Sequence, residues 1–172
     1  MSWTQLIRTI PDFPKKGILF YDITPVLQNP QALKQVADHL AKPYQNQKID
    51  FVAGIESRGF IFGSLLAQKL GAGFVPIRKQ GKLPHETLKQ EYELEYGKAT
   101  IEIHKDAFGK GDRVLLCDDL LATGGTCRAA TFLVEKLGAE VAEIGFVIEL
   151  SFLNGRKNLE GYNVQSLAKF DQ

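Results

Sequence analysis

The residues whose types and spacing could do chemistry are concentrated in one stretch, VLLCDDLLATGGT, running from Val114 to Thr126. An apolar run, Arg113 to Cys117, has the length of a buried strand and leads directly into two adjacent carboxylates, Asp118 and Asp119. A turn of small residues follows, Ala122, Thr123, Gly124, Gly125 and Thr126, and then a helical pattern with Ala129, Ala130, Leu133 and Leu137 on one face. Small residues let backbone N–H groups converge on an anion, and a helix start adds orphan donors and the positive end of its dipole. Two carboxylates would repel that anion unless they faced something else. Ribose hydroxyls and a nearby divalent cation meet that need. The segment reads as a binder of a phosphorylated sugar. It lacks the Lys of a Walker A loop. A plain strand–turn–helix connection would use the same Gly and Thr, so TGGT alone does not decide the matter.

A second anion-suited turn lies upstream. Gly54 to Gly59 joins an apolar run, Phe51 to Ile55, to a helical pattern over Gly59 to Leu70. Its Arg58 would sit at the positive end of that helix, a poor place for a cation with nothing to bind. A guanidinium there can grip phosphate oxygens bidentately. Downstream, Arg78, Lys79 and Lys82 open a polar stretch suited to a phosphate-rich ligand, though such runs are commonly just solvated. Glu91, Glu93 and Glu95 repeat with period two and fit the polar face of a strand, so spacing alone assigns them no chemistry. His39, His85 and His104 are scattered and form no metal-ligand pattern.

The elements that position these residues alternate strand-like and helical patterns, which predicts an α/β fold with a mostly parallel sheet flanked by helices. A short helix is expected over Ser2 to Ile10, and a longer one over Pro30 to Lys42. Strands are expected at Phe74 to Ile77, with Pro76 at an end or an unpaired edge, and at Val141 to Leu150. Arg78 to Glu91 has no apolar period and reads as a long functional loop. Tyr92 to Ile103 alternates around Gly97 and Lys98 like a hairpin. The tail, Ser151 to Gln172, is expected to add a helical turn and a strand around Tyr162 to Leu167. One domain, 1–172, accounts for the whole, with a small hood over about 1–30 plus part of the tail and a mobile loop over about 78–96.

The chain has 172 residues, 44% hydrophobic and 24% charged, an ordinary globular balance. Its 21 basic and 20 acidic side chains leave a net charge of +1. That argues against a coat for nucleic acid or an anionic membrane. No apolar stretch is long enough to span a bilayer, and the N-terminus does not read as a signal peptide. Two cysteines, Cys117 and Cys127, make no disulfide framework, and a cytoplasmic location is expected.

The Val114 to Thr126 string resembles the binding signature for phosphoribosyl pyrophosphate (PRPP) in type I phosphoribosyltransferases. Four further segments resemble their adenine branch: DFPKKGILFYDITP from Asp12 to Pro25, GIESRGF from Gly54 to Phe60, RKQGKLP from Arg78 to Pro84, and EYELEYGK from Glu91 to Lys98. The resemblance runs from about Pro11 to Leu150. It implies transfer of the 5-phosphoribosyl group of PRPP to adenine, giving AMP and pyrophosphate in purine salvage, through an oxocarbenium-like transition state and with Mg2+ held mainly by PRPP and water rather than by side chains. It implies that Ala122 to Thr126 bind the 5′-phosphate, Asp118 and Asp119 the ribose, and Glu56, Ser57, Arg58, Gly59, Arg78, Lys79 and Lys82 the pyrophosphate. Glu56–Ser57 would be a cis peptide. Glu95 becomes the catalytic residue, near N7 of the base. Leu19, Phe20, Tyr21 and Leu150 contact adenine, the first and third through their main chain. Many relatives carry Arg where Tyr21 stands. The resemblance also implies a homodimer. Two rival readings are a phosphoribosyltransferase for hypoxanthine, guanine or xanthine, which the Asp12 to Pro25 segment and Glu95-Tyr96-Gly97 argue against, and a PRPP-sensing regulator, which the absence of a basic helix-turn-helix pattern argues against.

Overall fold

The computed structural model describes residues 2–94 and 97–172. A seven-stranded sheet runs in the order β5-β6-β4-β3-β7-β8-β9. Its strands are β3 (Phe51–Ile55), β4 (Gly73–Lys79), β5 (Thr87–Glu93), β6 (Lys98–His104), β7 (Arg113–Leu121), β8 (Glu140–Leu150) and β9 (Val164–Phe170). The run β4-β3-β7-β8-β9 is parallel throughout, and β5 and β6 extend it as an antiparallel edge. A two-stranded antiparallel sheet, β1 (Arg8–Pro11) with β2 (Leu19–Asp22), stands apart.

Successive side chains of a strand face opposite ways, and here each face has its own helices. Val52, Leu115 and Cys117 pack under α2 (Pro30–Ala41) and α3 (Gly59–Leu70) with Val36, Leu40, Phe62 and Leu66. Ala53, Ile55, Val114 and Leu116 pack with Ala130, Leu133 and Val134 of α4 (Gly125–Lys136). A five-residue helix, α1 (Thr24–Gln28), leads into α2, whose start is set by Asn29: its side chain accepts from the N–H groups of Gln31 and Ala32, and Pro30 occupies the first turn.

Several elements differ from the sequence expectation. The predicted first helix is only one 3-10 turn, Trp3–Leu6, followed by β1, because Arg8 to Pro11 find a partner in β2. Residues 87–91, expected as loop, belong to β5, an exposed edge strand whose apolar alternation is weak because neither face is fully covered. The third parallel strand does not end at Cys117. β8 pairs with β7 as far as Leu121, so Asp118 and Asp119 lie on the strand itself. Pro76 falls where β4 has β3 on one side only, since β6 joins at Arg78 and Lys79.

α3 and β7 approach closely in this framework. A Cβ added to Gly59 would lie 2.8 Å from the Cys117 carbonyl oxygen and 2.9 Å from Asp118 Oδ1. Gly59→Ala is therefore expected to destabilise the fold by roughly 1–3 kcal/mol, the usual cost of overpacking a close contact. Urea unfolding of the variant checks this, and an unchanged midpoint would refute the contact.

Candidate active site

β3 and β7 are neighbours in parallel register, with Gly54 opposite Cys117. The turns that leave them, 56–58 and 122–124, therefore emerge side by side at the carboxyl ends of the strands, where open α/β sheets bind ligands. Glu56, Ser57, Arg58, Lys79, Asp118 and Asp119 line one cleft. Asp118 also lines an adjoining recess with Leu120 to Cys127 and Phe146. One aspartate thus joins the two halves of a single site.

The two carboxylates are held differently. Asp119 is 8% exposed and its Oδ2 accepts from Arg58 Nε at 2.5 Å, so the guanidinium is held over the cleft from one side. Asp118 Oδ1 accepts from the Asp119 N–H at 2.8 Å. Burial, and then the Asp119 charge, push the Asp118 carboxyl well above the usual carboxylate range. The Cys117 and Cys127 thiols behind them are pushed up mainly by burial, which makes them packing groups rather than nucleophiles.

Glu56–Ser57 is a cis peptide, as the resemblance implied. Glu56 faces cations. Its carboxylate accepts from Lys82 Nζ at 2.6 Å, the Lys79 N–H at 3.0 Å and Arg78 Nε at 3.3 Å. Partial burial works against its charge, but these three donors hold it below the usual range. Arg78 also lies 5.8 Å from the Phe60 ring centroid and donates to the Lys82 carbonyl oxygen at 3.3 Å. The side chain of Glu56 thus serves to gather Arg78 and Lys82 at the cleft edge, since an anion would be repelled by it.

The turn 122–126 has the shape its composition predicts. Gly124 adopts φ +84° just before α4, a conformation that disfavours any side chain. Its remaining constraints come from a segment that sequence reasoning missed. Gly155 packs against the Ala122 carbonyl and Gly124, and Asn158 Nδ2 donates to the Thr123 carbonyl at 2.7 Å. These contacts fix the carbonyl side of the turn. Asn158 is 35 residues from Thr123, and an NGRKNL string shows no local sign of this partnership. Arg156 anchors the same segment through a bidentate pair with buried Glu149, both contacts at 2.7 Å.

Of the residues expected at the base, Phe20 lies beside the cleft: the Arg58 guanidinium carbon is 5.9 Å from its ring centroid. Leu19 is exposed and Leu150 is buried at the end of β8. Tyr21 is buried, its hydroxyl donating to the Gln172 carbonyl at 2.6 Å and its ring 4.2 Å from that of Phe170. Its side chain is occupied by the C-terminal segment. Glu95, the expected catalytic residue, lies outside the described residues, as does Tyr96. The flanking Leu94 N–H donates to the Gly97 carbonyl at 2.9 Å, and Glu93 approaches Gly125 at the start of α4.

A small-residue turn, a pair of carboxylates and an arginine turn, meeting at the ends of adjacent parallel strands, make a cleft suited to a phosphorylated sugar. The phosphoribosyl transferase domain family matches residues 22–167. The chain is 57% identical over 171 residues to an adenine phosphoribosyltransferase of Koribacter versatilis, covering 99% of this chain and 94% of that one. The solved adenine phosphoribosyltransferase of Thermoanaerobacter pseudethanolicus superposes with a TM-score of 0.94 at 57% identity, covering 97% of both chains. That of Saccharomyces cerevisiae, complexed with adenine and an imino-altritol bisphosphate, gives 0.91 at 46% identity and covers 96% of each. The chain belongs to the phosphoribosyl transferase family and, within it, to the adenine phosphoribosyltransferases.

The raised Asp118 pKa has a consequence for stability. As pH rises the unfolded chain loses this proton first, so stability is fully present below the ordinary carboxylate pKa and declines as pH climbs through the folded-state value. Asp118→Asn keeps the acceptor for the Asp119 N–H and removes the penalty. It is expected to raise the neutral-pH melting temperature by a few degrees while lowering PRPP affinity. Melting curves from pH 4 to 8 should show a flatter profile than wild type; the same slope in both would refute the account.

Proposed function

We propose that this chain transfers the 5-phosphoribosyl group of PRPP to adenine, releasing AMP and pyrophosphate. The observation that carries the reading is the meeting of two anion-suited turns across Asp118 and Asp119, in a chain 57% identical to an adenine phosphoribosyltransferase. The N–H groups and hydroxyls of Ala122, Thr123, Gly124, Gly125 and Thr126 receive the 5′-phosphate. Asp118 and Asp119 accept hydrogen bonds from the ribose hydroxyls. Ser57, Arg58 and Gly59 take the pyrophosphate, with charge from Lys79, Lys82 and Arg78 and with Glu56 holding those cations in place. Adenine lies against Phe20 and Leu150 and hydrogen-bonds to the main chain of Leu19 and Tyr21. Main-chain groups tell a 6-amino from a 6-oxo purine because the two present opposite donor patterns at N1 and position 6.

In the reaction a bond forms from the base nitrogen to the anomeric carbon as the bond to pyrophosphate breaks. The transition state carries oxocarbenium character. Glu95 holds the proton at N7 and takes it up as the new bond forms, which keeps positive charge from building on the base. Arg58 and the 56–59 turn stabilise the departing oxygens, and the loop beyond Arg78 excludes water that would hydrolyse PRPP. Asp118, Asp119 and the Ser57 hydroxyl give the cleft an oxygen-rich donor set that suits a hard, hydrated cation. Mg2+ carried mainly by PRPP and water would neutralise charge on the leaving pyrophosphate when bound.

The same reading includes a homodimer, for which exposed Ile18, Leu19 and Ile61 offer apolar surface, and a cytoplasmic location, where the free thiols of Cys117 and Cys127 stay reduced.

AMP formation from adenine, PRPP and Mg2+, with hypoxanthine and guanine in parallel, tests the reading. Product is expected from adenine alone, and Glu95→Gln should lower kcat by roughly a hundredfold or more. PRPP binding without product from any base would leave a sensor rather than an enzyme, and product from a 6-oxo purine would refute the adenine assignment.

A further inference from the structure

Glu102, on β6, is 1% exposed and lines neither part of the cleft. A buried carboxylate is costly unless donors surround it. Its donors come from the connection that precedes β5 and from the start of β5 itself. Oε1 accepts from the N–H of Gly81 at 3.0 Å and of Leu83 at 3.2 Å, and Oε2 accepts from the Thr87 hydroxyl at 3.2 Å, with Lys89 Nζ at 3.9 Å. The connection between β4 and β5 is QGKLPHE, residues 80–86, with Lys82, Pro84, His85 and Glu86 all exposed. Such a segment has no apolar face to fix its path. One carboxylate oxygen instead holds the N–H groups on either side of Lys82. The Lys82 ammonium then reaches Glu56 at 2.6 Å, and its carbonyl receives Arg78 at 3.3 Å.

We infer that Glu102 is a positioning residue for the pyrophosphate side of the cleft: it templates the turn that presents Lys82 and, through the Lys82 carbonyl, Arg78. The inference rests on the reading of the cleft as a PRPP site. The role belongs to the acceptor oxygens. Glu102→Gln keeps one oxygen for both N–H groups and retains most of the function, whereas Glu102→Ala frees the turn and leaves its N–H groups without that acceptor.

Calorimetric binding of pyrophosphate with Mg2+, and of AMP in parallel, tests this without relying on turnover. Glu102→Ala is expected to weaken pyrophosphate about tenfold, the equivalent of one charge-assisted hydrogen bond, and to leave AMP affinity unchanged. Glu102→Gln should bind pyrophosphate close to wild type. Glu102→Ala with Lys82→Ala should lose less than the sum of the two single variants, because both disturb the Lys82 ammonium while only Glu102→Ala also frees the Lys82 carbonyl that holds Arg78. Unchanged pyrophosphate binding, equal weakening of AMP, or additive losses in the double variant would each overturn the inference. If Glu102→Ala does not fold, Thr87→Val removes one donor at the strand end; a smaller loss confined to pyrophosphate supports the role, and no loss overturns it. A wild-type chain that binds neither pyrophosphate nor AMP would overturn the PRPP reading itself, and the inference with it.

Discussion

Where α3 meets β7 there is no room for a side chain, and the active site depends on that contact. Gly59 rests on the Cys117 carbonyl and the Asp118 carboxylate, which brings the start of one helix against the end of a neighbouring strand. Two turns far apart in the chain are thereby forced into one cleft. The Arg58–Asp119 pair is a consequence of this approach. The raised pKa of half-buried Asp118 follows from the packing around its carboxyl and then from the neighbouring Asp119 charge. The site sets two carboxylates side by side and gives up some stability for it, a common trade at functional sites.

Charge is handled by pairing across elements. Arg58 is matched by Asp119, Arg78 and Lys82 by Glu56, and Arg156 by Glu149. None of these pairs is local in sequence except the last, and each sits where a turn would otherwise be free to move. In each pair a partly exposed cation satisfies a carboxylate that is mostly buried. Their effect here is geometric: each holds a polar group in a defined direction. Glu102 does the same through backbone N–H groups, and Asn158 through a backbone carbonyl.

The chemistry-bearing strings were legible in the sequence because their constraints are local. VLLCDDLLATGGT needs an apolar strand, carboxylates and small residues in that order, and GIESRGF needs a glycine turn with an arginine. Strands Phe51–Ile55 and Glu140–Leu150 and helices Pro30–Ala41 and Gly59–Leu70 followed from apolar period and caps. β5 did not, because an exposed edge strand has no covered face to impose alternation. β1 did not either, because only its partner β2 makes a strand of Arg8–Pro11.

Sequence by itself determined the α/β class, the two anion-suited turns and the candidate residues on them, since each depends on contacts within about a dozen positions. Tertiary structure decided which of those residues meet. It set Asp119 against Arg58 across 61 positions, spent the Tyr21 side chain on Gln172 across 151, and recruited Asn158 and Glu102 to turns 35 and 19 to 21 positions away. Strand order and register create those meetings. They arise from burying two faces of one sheet at once, a condition that no single segment of the chain can express.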